Sequence, residues 1–215
     1  MSALPVITAP TIAIAGSDER FPVRRIFCVG QNYADHAREM GGDPDRAPPF
    51  FFTKPADAVV PSGSSLPFPS RTEELHHEVE LVVALGEDLA IFGCAVGLDL
   101  TRRDLQAVAK KAGRPWDMAK GFDRSAPIGP LTLGPPPADA AITLSIDGEI
   151  RQRGRLSDMI WSVGEIIAEL GTYVELRPGD LIFTGTPAGV GPIRRGETVR
   201  GTIEGLAPVE VGFAR

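Results

Sequence analysis

Three acids stand in otherwise apolar surroundings: Glu78 and Glu80 within residues 77–85, and Asp99 within residues 94–100. Side chains alternate faces along a strand, so Glu78 and Glu80 point one way while Val79, Leu81 and Val83 point the other. Holding two carboxylates together in a largely buried strand costs several kcal/mol unless protons or cations compensate. With Asp99 as a third hard oxygen ligand, the cluster selects Mg²⁺, Mn²⁺ or Ca²⁺ over softer metals. Mg²⁺ retains waters that a chelating substrate can replace. A Glu-x-Glu pair taken alone is more often a solvated strand face. His76 and His77 also admit a zinc reading, without a recognisable zinc spacing.

His36 and Glu39 are three apart in a short helical segment, so the carboxylate can orient the imidazole and raise its basicity, a pairing suited to activating water. Gly30 and Gly41-Gly42 flank it and would suit a mobile lid. Lys120 lies in a mixed apolar and polar stretch beside Gly121, where an ammonium can meet a substrate oxyanion. Lys54 is a second isolated lysine, and Arg103 and Gln106 share one face of the helix that follows Asp99. Residues 184–192 form a glycine-rich turn offering hydroxyls and backbone N–H groups to an anion. That turn is no P-loop, because it lacks the Gly-Lys-Ser/Thr end.

These residues need a frame, and the 24 glycines and 20 prolines punctuate short apolar runs, which predicts many short strands and few long helices. Residues 25–30 read as the first strand, 32–40 as a short helix closed by Gly41-Gly42, and 41–75 as loop with one aromatic strand at 50–53. Residues 77–85 and 94–100 are the core strands. Thr101 to Asp104 resembles a capping box opening a helix that runs to about Ala112, and Ser162 to Glu165 opens another ending at Gly171. Asp147-Gly148 supplies the positive φ angles of a tight hairpin within 141–152. Turns are also expected at Pro178-Gly179-Asp180 and Arg195-Gly196-Glu197. The fold class expected is mainly β with a few short helices (α+β), with residues 1–20 a strand and loop extension and 21–215 a single catalytic domain.

The 215 residues carry 22 basic and 28 acidic side chains, a net charge of −6, with no block of like charge to track a phosphate backbone, so nucleic acid is not an expected partner. No apolar run approaches the roughly 20 residues of a membrane helix. Cys28 and Cys94 sit inside apolar runs and read as reduced core residues, which together predicts a cytoplasmic protein.

Six ordered blocks, residues 30–40, 52–55, 76–81, 97–106, 115–123 and 178–192, resemble the fumarylacetoacetate hydrolase family, and the match runs from about residue 21 to about residue 205. The resemblance implies a mixed β-roll or β-sandwich, a homodimer, and Mg²⁺ or Mn²⁺ on Glu78, Glu80 and Asp99. It makes His36 and Glu39 a lid dyad and Lys120 the active-site lysine, with Arg103, Gln106, Lys54 and Thr186 near substrate. Residues 21–30, 43–52 and 160–163 look most like the fumarylpyruvate hydrolases of aromatic-acid catabolism. Family members usually have a longer connection where this chain has only Gly86 to Phe92, which is either a true deletion or the mark of a missing mobile segment, and in the second case that segment would flank the active site.

The reaction these features imply is hydrolysis of the carbon–carbon bond of an acylpyruvate, a small 2,4-dioxo acid. His36 takes a proton from water, and Gln106 or Lys120 steadies the oxyanion. An acidic acyl tail also needs a distal cation, for which Arg102, Arg103 and Arg124 are candidates. Oxaloacetate decarboxylation, isomerisation or hydration on the same site are the enzymatic alternatives, and a metal-dependent binding module is the non-enzymatic one.

Overall fold

The computed structural model describes residues 4, 8–39 and 48–215. Two large sheets form the frame. In the larger, the strands run in the order Phe50–Lys54, Arg25–Gly30, Asp180–Phe183, Val79–Leu85, Ile91–Leu98, Ala126–Ile128 and Val59–Pro61, with Thr132–Leu133 paired to the edge of Ile91–Leu98. In the smaller the order is Glu149–Arg155, Ala141–Ile146, Thr198–Ile203, Val209–Phe213 and Ser64–Leu66. The fold is therefore mainly β, as the punctuation of the sequence predicts.

Strand alternation decides where the core lies. Val79, Leu81, Val83 and Leu85 join one apolar cluster with Ile142, Leu144, Val199 and Val211 of the smaller sheet. The other face of the same strand, through Val82 and Ala84, joins Leu181, Phe183 and Ile26 in a second cluster, which Ile12, Ile14 and Phe21 also enter. A strand buried on both faces has no wet side, so a carboxylate on it must be compensated inside the protein. Thr11–Ala13 pairs antiparallel with Arg20–Pro22, tying the chain start to this packing.

Several local readings hold. Ser162 caps Val163–Tyr173 with its hydroxyl on the Glu165 N–H, and the Glu165 carboxylate returns to the Ser162 N–H, a reciprocal box. Asp147 and Gly148 adopt φ of 47° and 87° between Ala141–Ile146 and Glu149–Arg155, as a tight hairpin requires. Cys28 and Cys94 are buried free thiols.

Others need correction. The stretch 48–75 is not all loop beyond its aromatic strand, for Val59–Pro61 and Ser64–Leu66 each add a parallel edge to one of the large sheets. The capping box at Thr101 does not form: Thr101–Arg102 pairs with Leu75–His77, and the helix Arg103–Lys111 begins without a side-chain cap. Asp104 instead accepts from Thr72 Oγ1 at 2.7 Å and from the Glu73 and Leu105 N–H groups, tying the helix start to the chain before the triad. Gly171 does not end its helix, which continues to Tyr173. Gly41-Gly42 and the expected lid glycines there lie outside the described residues.

Asp180 is a buried anchor of the larger sheet. Its carboxylate accepts from Arg24 Nη1 at 3.0 Å, from Arg25 Nη2 at 2.7 Å and from the Arg177 N–H at 2.9 Å. Removing one side of such a cluster leaves the others unpaired, and because both guanidinium groups are part-exposed the cost is moderated. Asp180→Ala should lower unfolding free energy by about 2–3 kcal/mol in urea titrations, with no change in metal affinity.

Among the described residues no helix is long and apolar enough to cross a membrane.

Candidate metal centre and active site

The antiparallel hairpin of Val79–Leu85 and Ile91–Leu98 assembles the acidic cluster. Val79 pairs with Leu98, and the Asp99 N–H donates to the Glu78 carbonyl at 2.8 Å, so Glu78 and Asp99 meet just past the strand ends while Glu80 lies one pleat inside. Glu78 occupies the break between Leu75–His77 and Val79–Leu85 rather than a continuous strand. One oxygen from each of Glu78, Glu80 and Asp99 lies within 4.8 Å of the others, and all three residues are buried. The short connection 86–92 closes as a tight turn at the opposite end of this hairpin, with Asp88 and Leu89 at φ of 52° and 58°. Six residues of strand, about 20 Å, separate this turn from the triad.

Three cations surround the three acids. Lys120 Nζ lies 2.7 Å from both Glu78 Oε2 and Asp99 Oδ2, Arg103 Nη2 lies 2.5 Å from Glu78 Oε1, and Lys54 Nζ lies 2.8 Å from Asp99 Oδ1. The last contact is an ion pair rather than a hydrogen bond: Lys54 donates to the Leu100 and Lys120 carbonyls, and Asp99 Oδ1 accepts none. Glu80 has no cation within ion-pair distance among the described residues and accepts from the Gly185 N–H at 2.7 Å.

The electrostatics follow. Burial, with Asp99 and Glu78 adding repulsion, pushes the Glu80 carboxyl well above the usual range. Burial acts the same way on Glu78, but Lys120 and Arg103 outweigh it and hold that carboxyl well below the usual range. Burial alone would lower Lys120, yet Asp99 and Glu78 push it up to about 12. A buried, hydrogen-bond-free carboxylate oxygen on Asp99 and an uncompensated carboxylate at Glu80, both beside Glu78, fit a hard divalent cation on all-oxygen ligands. His76 and His77 do not join them. His76 Nδ1 accepts from Arg103 Nε at 3.3 Å, burial and Arg103 lower its pKa to about 4, and His77 Nδ1 pairs with Gln152 Oε1 at 3.0 Å.

One cleft opens onto the triad and is lined by His36, Arg103, Gln106, Lys120 and Thr186. His36 is 5% exposed, its Nδ1 has no hydrogen bond, and it lies 3.7 Å from Glu39 Oε2. Burial lowers its pKa below 6.5, so the imidazole is neutral near pH 7 and able to take a proton. Glu39 does not line the cleft; its two oxygens accept from the Gly189 N–H at 3.0 and 3.1 Å. Lys54 also stays out of the cleft, fully buried behind Asp99. Arg103 spans Glu78 and Gln106, with Nη1 at 2.6 Å from Gln106 Oε1.

The glycine-rich turn 184–192 serves the protein's own carboxylates, through Gly185 to Glu80 and Gly189 to Glu39, rather than standing open to an external anion. Gly185 has φ of 96°, and a Cβ there would meet Asn32 Cβ at 2.7 Å, so both conformation and space require glycine. Asn32 is buried and spans two segments, donating to the Trp161 and Thr184 carbonyls at 3.0 and 2.8 Å. Beside it Gln31 holds φ of 58° at the cleft wall, a conformation costly for a non-glycine residue.

The residue that sequence reasoning missed most completely is Gln152. Its Oε1 accepts from the Val79 N–H at 3.1 Å, while Nε2 donates to Thr186 Oγ1 and the Pro187 carbonyl, both at 2.8 Å. Thr186 in turn donates to the Val79 carbonyl at 2.8 Å. Gln152 thereby locks the strand break at Glu78 to the turn that holds Glu80. It sits between two exposed arginines on a mostly exposed strand, and nothing in the pattern marks it. Gln152→Leu should cost about 3 kcal/mol of stability, because several buried groups lose partners at once, and should weaken metal affinity as the triad loosens; urea unfolding and metal titration check the two effects.

A β-rich frame carrying three buried carboxylates, a neutral buried histidine and a cleft that joins them defines an enzyme built for a hard divalent cation. Residues 25–213 match the fumarylacetoacetate (FAA) hydrolase C-terminal family, and the chain belongs to that family. It is similar to a fumarylpyruvate hydrolase of Ralstonia sp, at 42% identity over 75% of this chain and 91% of that one. Its similarity to an oxaloacetate tautomerase of Escherichia coli is comparable, 40% over 86% and 90%. The crystal structure of fumarylpyruvate hydrolase from Pseudomonas aeruginosa in complex with Mn²⁺ and pyruvate superposes with a TM-score of 0.95, at 50% identity, covering 100% of this chain and 99% of that one.

Proposed function

We propose that this protein is an acylpyruvate hydrolase that cleaves fumarylpyruvate to fumarate and pyruvate, using Mg²⁺ or Mn²⁺ on Glu78, Glu80 and Asp99. The observation that carries the reading is that the neutral imidazole of His36 lines the same cleft as the triad, Gln106 and Lys120. The likeness to fumarylpyruvate hydrolases, one of them with Mn²⁺ and pyruvate, supports it. When bound, a divalent cation supplies positive charge for the carboxylate and 2-oxo oxygens of the pyruvate end.

The chain's own residues supply the rest. His36 takes a proton from water, whose oxygen bonds to C4, the acyl carbonyl carbon. Gln106 and Lys120 donate to the oxyanion that forms there. The C3–C4 bond then breaks, its electron pair stays with C3, and the proton from His36 is returned to that carbon, giving pyruvate; the acyl half leaves as the acid. Charge is matched as well. With a divalent ion bound and all three acids ionised, three carboxylates balance three cations and the ion leaves two positive charges, the complement of a dicarboxylate.

A second reading, keto–enol interconversion of oxaloacetate, is favoured by the comparable similarity to oxaloacetate tautomerases. It uses His36 to move a proton at C3 and requires no water attack. Mg²⁺-dependent ultraviolet assays with fumarylpyruvate, acetylpyruvate and oxaloacetate in parallel separate the two. Release of pyruvate from fumarylpyruvate supports hydrolysis, whereas accelerated oxaloacetate enol decay without acylpyruvate cleavage would replace it.

A further inference from the structure

Resting on the acylpyruvate reading, we propose that Lys110 is the substrate-binding residue that recognises the distal carboxylate of the acyl group and so sets selectivity for long 2-oxo diacids. The three arginines raised from the sequence are otherwise engaged. Arg103 is committed to Glu78, Gln106 and His76. Arg102 donates to the Met118 carbonyl at 3.2 Å, lies 4.3 Å over the Phe122 ring, and with Arg124 lines a separate cleft. Lys110 lines the active-site cleft, and among the described residues no carboxylate pairs with it. Its ammonium lies 5.0 Å over the Trp116 ring, which packs edge-on against Phe50 at 5.4 Å, so an aromatic wall supports its stem without neutralising its charge.

Spacing along one helix sets the reach. Arg103, Gln106 and Lys110 fall at i, i+3 and i+7 of Arg103–Lys111, on one face. Seven residues advance about 10 Å, from the arginine on Glu78 to the lysine at the cleft mouth. The terminal carboxyl carbons of an extended seven-carbon dioate lie about 8 Å apart, six carbon–carbon bonds of about 1.5 Å in a zigzag. With its pyruvate end at the triad, such a tail comes within reach of the lysine, and a four-carbon oxo diacid stops roughly half way. Although Lys110 is an exposed residue, burial of its ammonium, with the Arg103 and Lys120 cations adding to it, lowers its pKa, as expected of a cation awaiting an anion.

The test is calorimetric titration of the Mg²⁺-loaded protein with two uncleavable probes, 2-oxoheptanedioate and 2-oxoheptanoate, which differ only in the distal carboxylate. The parent should bind the dioate at least about tenfold more tightly, Lys110→Met should erase that preference while leaving 2-oxoheptanoate affinity within about twofold, and Lys110→Arg should keep it. A parent without preference, a preference that survives Lys110→Met, or an equal loss for both probes would overturn the assignment. The expected pattern in a protein that cleaves no acylpyruvate would uphold Lys110 and sink the hydrolase reading alone.

Discussion

Glu80→Gln should abolish metal-dependent turnover, by about three orders of magnitude or more, while leaving the metal-free protein as stable as the parent or more so. The two effects have one cause. Glu80 is 2% exposed, accepts among the described residues only from the Gly185 N–H, and the cations nearby are spent on Glu78 and Asp99. Without a divalent ion, burial and the neighbouring acids push this carboxyl toward its neutral, protonated form, so a glutamine of the same shape that still accepts from Gly185 costs the metal-free fold little. With a divalent ion the ionised carboxylate is a ligand, and its loss costs affinity and turnover together. Thermal unfolding with and without Mg²⁺ reads both: the parent should show a clear Mg²⁺-dependent rise in Tm, and Glu80→Gln should start no lower and not respond. A variant that unfolds tens of degrees early without metal would show that Glu80 is compensated in the resting protein, contrary to this account.

His36→Ala should lower kcat by about 10²- to 10⁴-fold, the range for losing a general base, with the Mg²⁺ titration within a few-fold of the parent. The side chain contacts no triad oxygen by hydrogen bond, so its removal leaves the ligands in place. The pH profile carries the sign. Burial lowers the folded pKa below 6.5, and a divalent ion on the triad pushes it the same way. The parent's kcat/KM should therefore rise with pH through a midpoint below 6.5 and be level near pH 7, and this acid limb should vanish in His36→Ala. A midpoint above 6.5 would mean that the carboxylates of Glu78 and Glu39 together outweigh burial of the imidazole. That outcome conflicts with the 3.7 Å separation and with a Glu39 side chain that is 43% exposed and bonded to the Gly189 N–H. Glu39→Gln should accordingly cost only about tenfold, the effect of a residue that orients another.

Much of the site was legible in the order of residues because its ligands obey local rules. Alternation along 77–85 places Val79, Leu81 and Val83 in the apolar layer between the sheets, and Glu80 on the opposite side follows from the same period of two. The three-residue spacings of His36 with Glu39 and of Arg103 with Gln106 are likewise local, and extending the second by one turn reaches Lys110. Asp147-Gly148 and the Ser162 box are turn and cap chemistry that neighbouring residues specify among themselves.

Tertiary structure decided what depends on partners far along the chain. Thr101 to Asp104 has the letters of a capping box, but Thr101 is drawn into pairing with Leu75–His77 and Asp104 onto Thr72, so the local preference loses to two long-range ones. The glycine-rich turn 184–192 could have faced any anion; only folding shows that Glu80 and Glu39 are the anions it holds. Gln152 has no local signature, because its role is to satisfy Val79, Thr186 and Pro187 from three other segments at once. The sequence by itself determined which side chains can bind a hard cation and move a proton, since those are properties of residue type and strand or helix period. Which acid is left without a cation, which lysine lies behind the triad and which at the cleft mouth were decided by packing, because burial and charge compensation are set by neighbours that chain order does not reveal.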